Sequence, residues 1–195
     1  LWTFGGTQRV ILDDVKQHCL ALLGEPSRRA SFEINAYSAE VFKWSAAANP
    51  LGVAVYVSIG ASHDSLCGLD PSHRIEFFIG LLPEQDAVAR PLAMFALDPV
   101  LHGSALGHGQ TVTYAEPLWT GTEMSSLLVI HPQIEVFPSL LLNDGVHVEF
   151  LQLIPLFPSE LEFKVAHGPG ALMASFERAG VPFWDPARVP LDAAR

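Results

Sequence analysis

The sequence has little charge and especially few basic side chains. Charged residues make up 16% of the 195 residues, against about 25% in a typical soluble domain, whereas hydrophobic residues make up 49%. Lys and Arg number 11 against 21 Asp and Glu, giving a net charge of -10, and the single adjacent basic pair is Arg28-Arg29. Because nucleic acids and anionic membranes are bound through clustered Lys and Arg, we expect neither as a partner. Such an acidic balance keeps a protein soluble and would also attract a basic protein partner.

Cysteines and long apolar runs are scarce as well. Cys19 and Cys67 are the only cysteines, with no C-x-x-C spacing, which is more typical of a reducing compartment than of a disulfide scaffold. No stretch approaches the roughly 18 apolar residues that span a bilayer, and Leu1–Thr7 lacks the basic flank and apolar run of a signal peptide. We therefore expect a cytoplasmic protein, with residues 1–8 disordered or derived from cloning.

Hydrophobic periodicity predicts both helices and strands. Helical spacing or capping signals mark Arg9–Leu23, Pro91–Leu101, the segment from Ser159 to Gly168, and Pro169–Ala179. Alternating or β-branched apolar residues predict strands at Phe32–Tyr37, Val53–Ile59, Arg74–Leu81, Thr111–Tyr114, Leu127–His131 and Val146–Leu156. Since this order has no βαβ rhythm, it predicts a single α+β domain over residues 1–195, with a mixed, mainly antiparallel sheet flanked by helices.

Local signals predict how two of these helices begin and end. Pro99 should end or kink the second helix. Ser159 should cap the third helix, with Glu162 three residues later completing a capping box. Glu160 and Lys164 have the i, i+4 spacing of a helical ion pair.

The loop from His102 to Gly109 holds the first set of reactive side chains. His102 and His108 lie six residues apart and could contribute to a metal site, and Ser104 resembles a nucleophile. A zinc site needs three or four ligands, however, and a nucleophile elbow needs a serine in Gly-x-Ser-x-Gly directly after a strand. The simpler interpretation is a turn whose histidines bond to the backbone.

A second set lies between two strands and comprises His63, Asp64, Cys67 and His73. A Cys–His pair could form a thiolate nucleophile or part of a metal site, but one loop does not fix that geometry. Cys67 is therefore predicted to be a packed thiol, and Cys19 lies on the apolar stripe of the first helix. The acidic pair Asp13-Asp14 is predicted in the opening turns of that helix, where the helix dipole favours it. No metal or cofactor is expected.

Several segments, in order, resemble the suppressor-of-fused family. They are Val53–Ser62 (VAVYVSIGAS), Arg74–Leu81 (RIEFFIGL), Leu106–Val112 (LGHGQTV), Thr122–Pro132 and Phe150–Gly168 (FLQLIPLFPSELEFKVAHG). The family has a strand ending in a Ser/Thr-x-Gly-x-Ser turn, a Gly-His loop and a strand ending in Ile-Pro before a helix. The resemblance extends from about Phe32 to Arg188.

The resemblance implies a suppressor-of-fused-like α+β domain that binds another protein and has no catalytic activity. Animal members hold a transcription factor of the Hedgehog pathway by gripping an extended peptide, and bacterial members stand alone and are proposed to be toxin-immunity proteins. Ala, Arg, Pro and Leu usage here is typical of bacteria. The expected partner is therefore a basic toxin domain or an extended peptide, which an open sheet edge can accept.

Acidic and aromatic side chains in predicted loops are the candidates for binding that partner. The partner-binding set comprises His108, Asp64, Asp70, Glu116, Trp119 and Glu123, and Trp184 is a further aromatic candidate. For each of them, a solvated charge or a locally packed ring is the alternative. Two other functions remain open: a metal-dependent or cysteine hydrolase that uses the His63/Cys67 and His102/His108 loops, and a domain that binds a small ligand in an apolar pocket. The sequence leaves the oligomeric state open.

Overall fold

The computed structural model describes residues 5–63, 70, 72–103, 106–132 and 136–191, and the side chains from residue 11 onward. Its helices are α1 (Gly5–Leu23), α2 (Ala89–His102), α3 (Pro158–His167) and α4 (Pro169–Ala179). Its strands are β1 (Arg28–Ile34), β2 (Tyr37–Trp44), β3 (Ala54–Ile59), β4 (His73–Leu81), β5 (Thr111–Thr113), β6 (Ser126–Ile130), β7 (Leu140–Leu141) and β8 (His147–Leu156). Short 3₁₀ turns occur at Ala46–Ala48, Ala61–His63 and Asp86–Val88.

The eight strands form one sheet in the order β1-β2-β3-β4-β8-β6-β5, with β7 paired to β8. Every pair is antiparallel except β4 with β8, in which His73 lies opposite His147. The predicted mixed, mainly antiparallel sheet flanked by helices is confirmed. The parallel pair is possible because 65 residues, including α2, β5 and β6, separate β4 from β8, which is enough chain for a crossover connection.

Strand alternation gives the sheet two apolar faces, each covered by helices. Residues such as Phe77 of β4 pack with Phe95 of α2, whereas Phe78 packs on the opposite face with α1. On the α1 face, Ile154 of β8 packs with Leu172 of α4. Within the described residues, no helix is long and apolar enough to cross a bilayer.

The first hairpin corrects a strand prediction. Phe32–Tyr37 is not one strand. β1 ends at Ile34, a two-residue turn follows at Asn35 and Ala36, and β2 begins at Tyr37, which lies opposite Ile34. Asn35 has φ 57°, a left-handed conformation that asparagine tolerates better than most residues. The apolar alternation continues across this turn and hides it.

Two helix boundaries also differ from expectation. The first helix begins at Gly5 and not at Arg9, so residues 5–8, expected to be disordered, are helical and Asp13-Asp14 lies in mid-helix. The second helix does not end at Pro99 but continues three residues past it to His102, and the N–H of the following Gly103 donates to the Pro99 carbonyl at 2.8 Å. Proline removes one backbone bond, but the flanking turns keep the helix intact beyond it, and the helix ends where Gly103 takes a left-handed conformation (φ 68°).

A buried ion pair replaces the capping box predicted for the third helix. The helix is capped at Phe157 and not at Ser159, and the Phe157 N–H donates to the Glu160 carboxylate at 3.0 Å. Glu160 does not pair with Lys164. Both of its oxygens instead accept from Arg188, at 2.6 and 2.7 Å, and both side chains are 1% exposed. The Leu191 N–H also donates to this carboxylate at 2.9 Å, so the pair ties the C-terminal segment to the start of α3.

We predict that Arg188→Met destabilises the protein by about 3–5 kcal/mol, because it leaves a buried carboxylate without its counter-charge. The double variant Glu160→Gln/Arg188→Met should lose less, since it buries no uncompensated charge and its amide oxygen still accepts from one of the two backbone N–H groups. Urea unfolding measures both, with Arg178→Met on exposed α4 surface as the control. A double variant less stable than the single one contradicts this account.

Candidate partner-binding site

A fully buried carboxylate fixes the turn that follows β3. Glu76 of β4 accepts from the Ser58 hydroxyl (2.6 Å), the Gly60 N–H (2.8 Å), the Ser62 N–H (3.0 Å), the Ser62 hydroxyl (2.7 Å) and the Ala61 N–H (3.3 Å). These donors come from the Ser-x-Gly-x-Ser turn on which the family resemblance partly rests. Burial raises the pKa of Glu76 above its ordinary value, because the donors offset only part of the lost hydration.

Glycine is required within this turn. A Cβ on Gly60 would lie 3.0 Å from both Cα and Cβ of Ala39 on β2, and its φ of 152° is one that side-chain-bearing residues rarely adopt. The Ser-x-Gly-x-Ser pattern is therefore explained by structure: two serines and a glycine hold the Glu76 carboxylate between β2, β3 and β4. The carboxylate is not available to a substrate.

We predict that Glu76→Gln lowers the free energy of unfolding by roughly 2–4 kcal/mol, because an amide NH₂ would face backbone N–H donors that then lack an acceptor. The matched control is Glu149→Gln, which makes the same change at a partly exposed carboxylate and should cost less than about 1 kcal/mol. Chemical denaturation of both variants is the measurement. Equal losses would show that the donors around Glu76 contribute nothing specific.

Four histidines and one glutamate form a row at one end of the sheet, in the order His108, His131, Glu149, His73, His147. The His108 and His131 rings stack with centroids 4.9 Å apart. The backbone N–H of His131 donates to the ring atom Nδ1 of His108 at 3.0 Å. Glu149 lies 3.0 Å from His131 Nδ1 and 3.4 Å from His73 Nε2. His73 Nδ1 and His147 Nδ1 are 3.3 Å apart. We call these five residues the histidine row.

The topology of the sheet brings this row together. The parallel register places the start of β4 beside the start of β8, and the antiparallel β6 and β5 bring His131 and His108 to the same end. Of these residues, the sequence analysis singled out only His108 and His73. In the sequence, His73, His131 and His147 each lie at a strand end. That pattern predicts a cluster only once the parallel pairing of β4 with β8 is known.

The reactive sets predicted from the sequence are only partly described. His102 bonds to the Asp98 carboxylate at 2.9 Å on the last turn of α2, so the expectation that it bonds to the backbone is wrong, whereas His108 does accept a backbone N–H. Ser104 and Cys67 lie outside the described residues. Within the described part of the chain, no group of three or more His, Cys, Asp or Glu side chains is placed to hold a metal ion.

Cys19 is a core residue, as predicted. It is fully buried on the α1 face, and burial raises the pKa of its thiol, which therefore stays protonated at neutral pH. This thiol is not a nucleophile.

The acidic candidates fall at opposite ends of the sheet. Asp70 lies before β4, at the end that carries the histidine row, where the Ser72 N–H and hydroxyl donate to it at 2.9 and 2.7 Å and lower its pKa. Glu116 and Glu123 are exposed on the loop between β5 and β6 at the other end. Asp64 lies outside the described residues.

Trp119 is not an exposed aromatic anchor. Its side chain is only 5% exposed and belongs to the core on the α2 face, because the β5–β6 loop closes through a Leu118 N–H bond to the Met124 carbonyl at 2.8 Å and folds back over the sheet. Trp184, by contrast, is 43% exposed. It borders an apolar groove of about 300 Å³ with Leu51, Phe78 and Phe183.

A mixed sheet with helices on both faces, whose terminal strands each pair on one side only within the described residues, defines an α+β fold. The chain belongs to the suppressor-of-fused family: the family model "Suppressor of fused protein (SUFU)" matches residues 35–189.

Solved structures show the same fold. A structure described as a suppressor-of-fused homologue from Neisseria gonorrhoeae is 22% identical, with a TM-score of 0.69, and the match covers 94% of this chain and 97% of that one. A chain of the Sufu–Fu complex is 14% identical with a TM-score of 0.65, over 94% and 91% of the two chains. Drosophila Suppressor of Fused is 14% identical with a TM-score of 0.64, over 93% of this chain and 50% of that one. No curated protein matches the chain.

Proposed function

We propose that this chain is a non-enzymatic, cytoplasmic protein-binding domain that acts as a regulatory or toxin-immunity protein by holding a basic, extended segment of its partner along β5. The observation that carries the proposal is the position of three predicted partner-binding residues around one edge strand. His108 lies just before β5, and Glu116 and Glu123 are exposed on the loop that follows it.

β5 offers backbone groups to a partner. It pairs with β6 on one side, with Thr111 opposite Leu128, and among the described residues no strand pairs with its other side. An extended peptide added there gains main-chain hydrogen bonds. Because β5 is only three residues long, these bonds alone give little affinity, and flanking side chains must supply the rest.

Charge favours a basic segment. The chain has a net charge of -10, which attracts a basic peptide over long range. Glu116 and Glu123 are exposed and can form ion pairs with its Lys or Arg side chains on contact. Asp70, together with Asp64, would give a larger partner such as a toxin domain a second contact. Trp119 is excluded from this surface by its burial.

The non-enzymatic part of the proposal rests on how the buried reactive groups are used. Glu76 is held by five donors and Glu160 is paired with Arg188, while the Cys19 thiol is buried and protonated. A similar chain has been solved in the Sufu–Fu complex, which supports a role in protein binding.

We predict that Glu116→Lys/Glu123→Lys abolishes capture of the partner from a lysate of the native host at low salt. The matched control is Glu162→Lys/Glu177→Lys, which makes the same charge change on exposed surface of α3 and α4 and should capture the partner as wild type does. Quantitative mass spectrometry of the captured proteins is the measurement. Capture equal in both variants, or no salt-dependent partner at all, contradicts binding at this loop.

A further inference from the structure

The other terminal strand of the sheet, β1, has a free edge that the proposed function does not use. It spans seven residues, against three in β5, and pairs with β2 alone among the described strands. An unpaired edge of this length readily pairs with another strand unless something protects it.

The hairpin register shows which backbone groups of β1 face outward. Ile34 and Tyr37 flank a two-residue turn and therefore form a hydrogen-bonded pair, and such pairs alternate along an antiparallel ladder. The backbone groups of residues 28, 30, 32 and 34 thus point to β2. Those of Arg29, Ser31 and Glu33 point away from the sheet.

We propose that β1 pairs with β1 of a second copy of this chain, antiparallel and centred on Ser31, to form a two-fold symmetric dimer with one continuous sheet. In this register Ser31 lies opposite Ser31, and Arg29 of each copy lies opposite Glu33 of the other. The three outward-facing residues are those that must exchange hydrogen bonds across the axis. A two-fold interface uses the same patch on both subunits, and a sequence of Arg29, Ser31 and Glu33 is complementary to itself when reversed.

Charge and geometry on the α1 face favour this pairing. Arg29 and Glu33 are both exposed and lie on the same face of the sheet, since they are four residues apart in a strand. The Arg29 guanidinium lies over the Phe42 ring at 4.9 Å and bonds Glu25 at 2.8 Å, which leaves further N–H donors of its five for a second carboxylate. Symmetry provides two such cross-strand pairs, each of opposite charge.

The α2 face contributes apolar contact. Ala30 of one copy lies opposite Phe32 of the other, and both border an open pocket of about 200 Å³ beside β1. Val41, Tyr56 and Ala89 also line this pocket, together with four charged residues, Arg28, Lys43, Asp86 and Arg90. Phe32 is only half-buried in the single chain, so pairing removes apolar surface from water on both copies.

The edge lacks some of the features that usually protect an edge strand in a monomer. β1 contains no proline and no lysine, and two of its three charged residues, Arg29 and Glu33, have opposite signs at mirrored positions, whereas Arg28 lies opposite Ile34 of the second copy. Charges of the same sign at positions 29 and 33 would repel a second copy, whereas Arg29 and Glu33 attract it.

The test is sedimentation velocity of the whole chain from about 1 to 200 µM. We expect wild type to reach twice the monomer mass, and the single variants Arg29→Glu and Glu33→Arg to dimerise at least about tenfold more weakly, because each places like charges opposite one another twice. The double variant Arg29→Glu/Glu33→Arg restores both opposite-charge pairs and should dimerise as wild type does.

Two controls separate this interface from other effects. Glu25→Gln removes the intrachain partner of Arg29 and should leave the dimer intact, and circular dichroism of each variant checks that it is folded. A wild type that stays monomeric throughout, a dimer unaffected by the single variants, or a double variant that fails to recover each overturns the proposal. None of these outcomes bears on partner capture through Glu116 and Glu123.

Discussion

The hydrogen bonding of one buried carboxylate determines where the central strands end. Glu76 lies in the middle of the sheet, with a turn of β3 wrapped around its oxygens. The free energy cost of burying this charge is offset only while Ser58, Gly60 and Ser62 keep their positions. Ser58 lies in β3, Gly60 and Ser62 lie in the turn that follows it, and Glu76 lies in β4. Because all three donate to the same carboxylate, it fixes the register of the two strands and the place at which the chain turns.

Glu160 is a second buried carboxylate whose hydrogen bonds hold a segment of chain in place. There the donors are an arginine and two backbone N–H groups, and the segment they hold is the C-terminal stretch around Arg188, which has no regular structure of its own. In both cases a buried carboxylate holds a segment that makes no strand-to-strand backbone hydrogen bonds: the turn after β3 and the stretch around Arg188. Glu76 and Glu160 are buried as catalytic carboxylates often are, but their hydrogen bonds serve to stabilise the fold.

The sequence predicted most elements but not the contacts between them. β3, β4 and β8 were predicted nearly to the residue, because their apolar runs are long and β-branched. β2 was missed, since Glu40 and Lys43 interrupt its apolar pattern, and Asn35 was hidden within an apparent alternation. Glu160 was assigned to a local pair with Lys164, because its true partner Arg188 lies 28 residues away and no local rule reports such a contact. The histidine row was likewise unpredictable without the parallel pairing of β4 and β8.

Among the described strands, β1 and β5 each have one unpaired edge, and the two edges differ in length and in charge. β5 is short and lies between a histidine and acidic side chains, which is the arrangement that the proposed basic partner requires. β1 is longer and carries both signs in a self-complementary order, so it favours its own copy. Since β1 and β5 are at opposite ends of the strand order, a dimer formed through β1 would hold its two β5 edges apart at the ends of one continuous sheet. A partner with two basic segments, or two partners bound together, would then be held more tightly than either β5 edge alone allows.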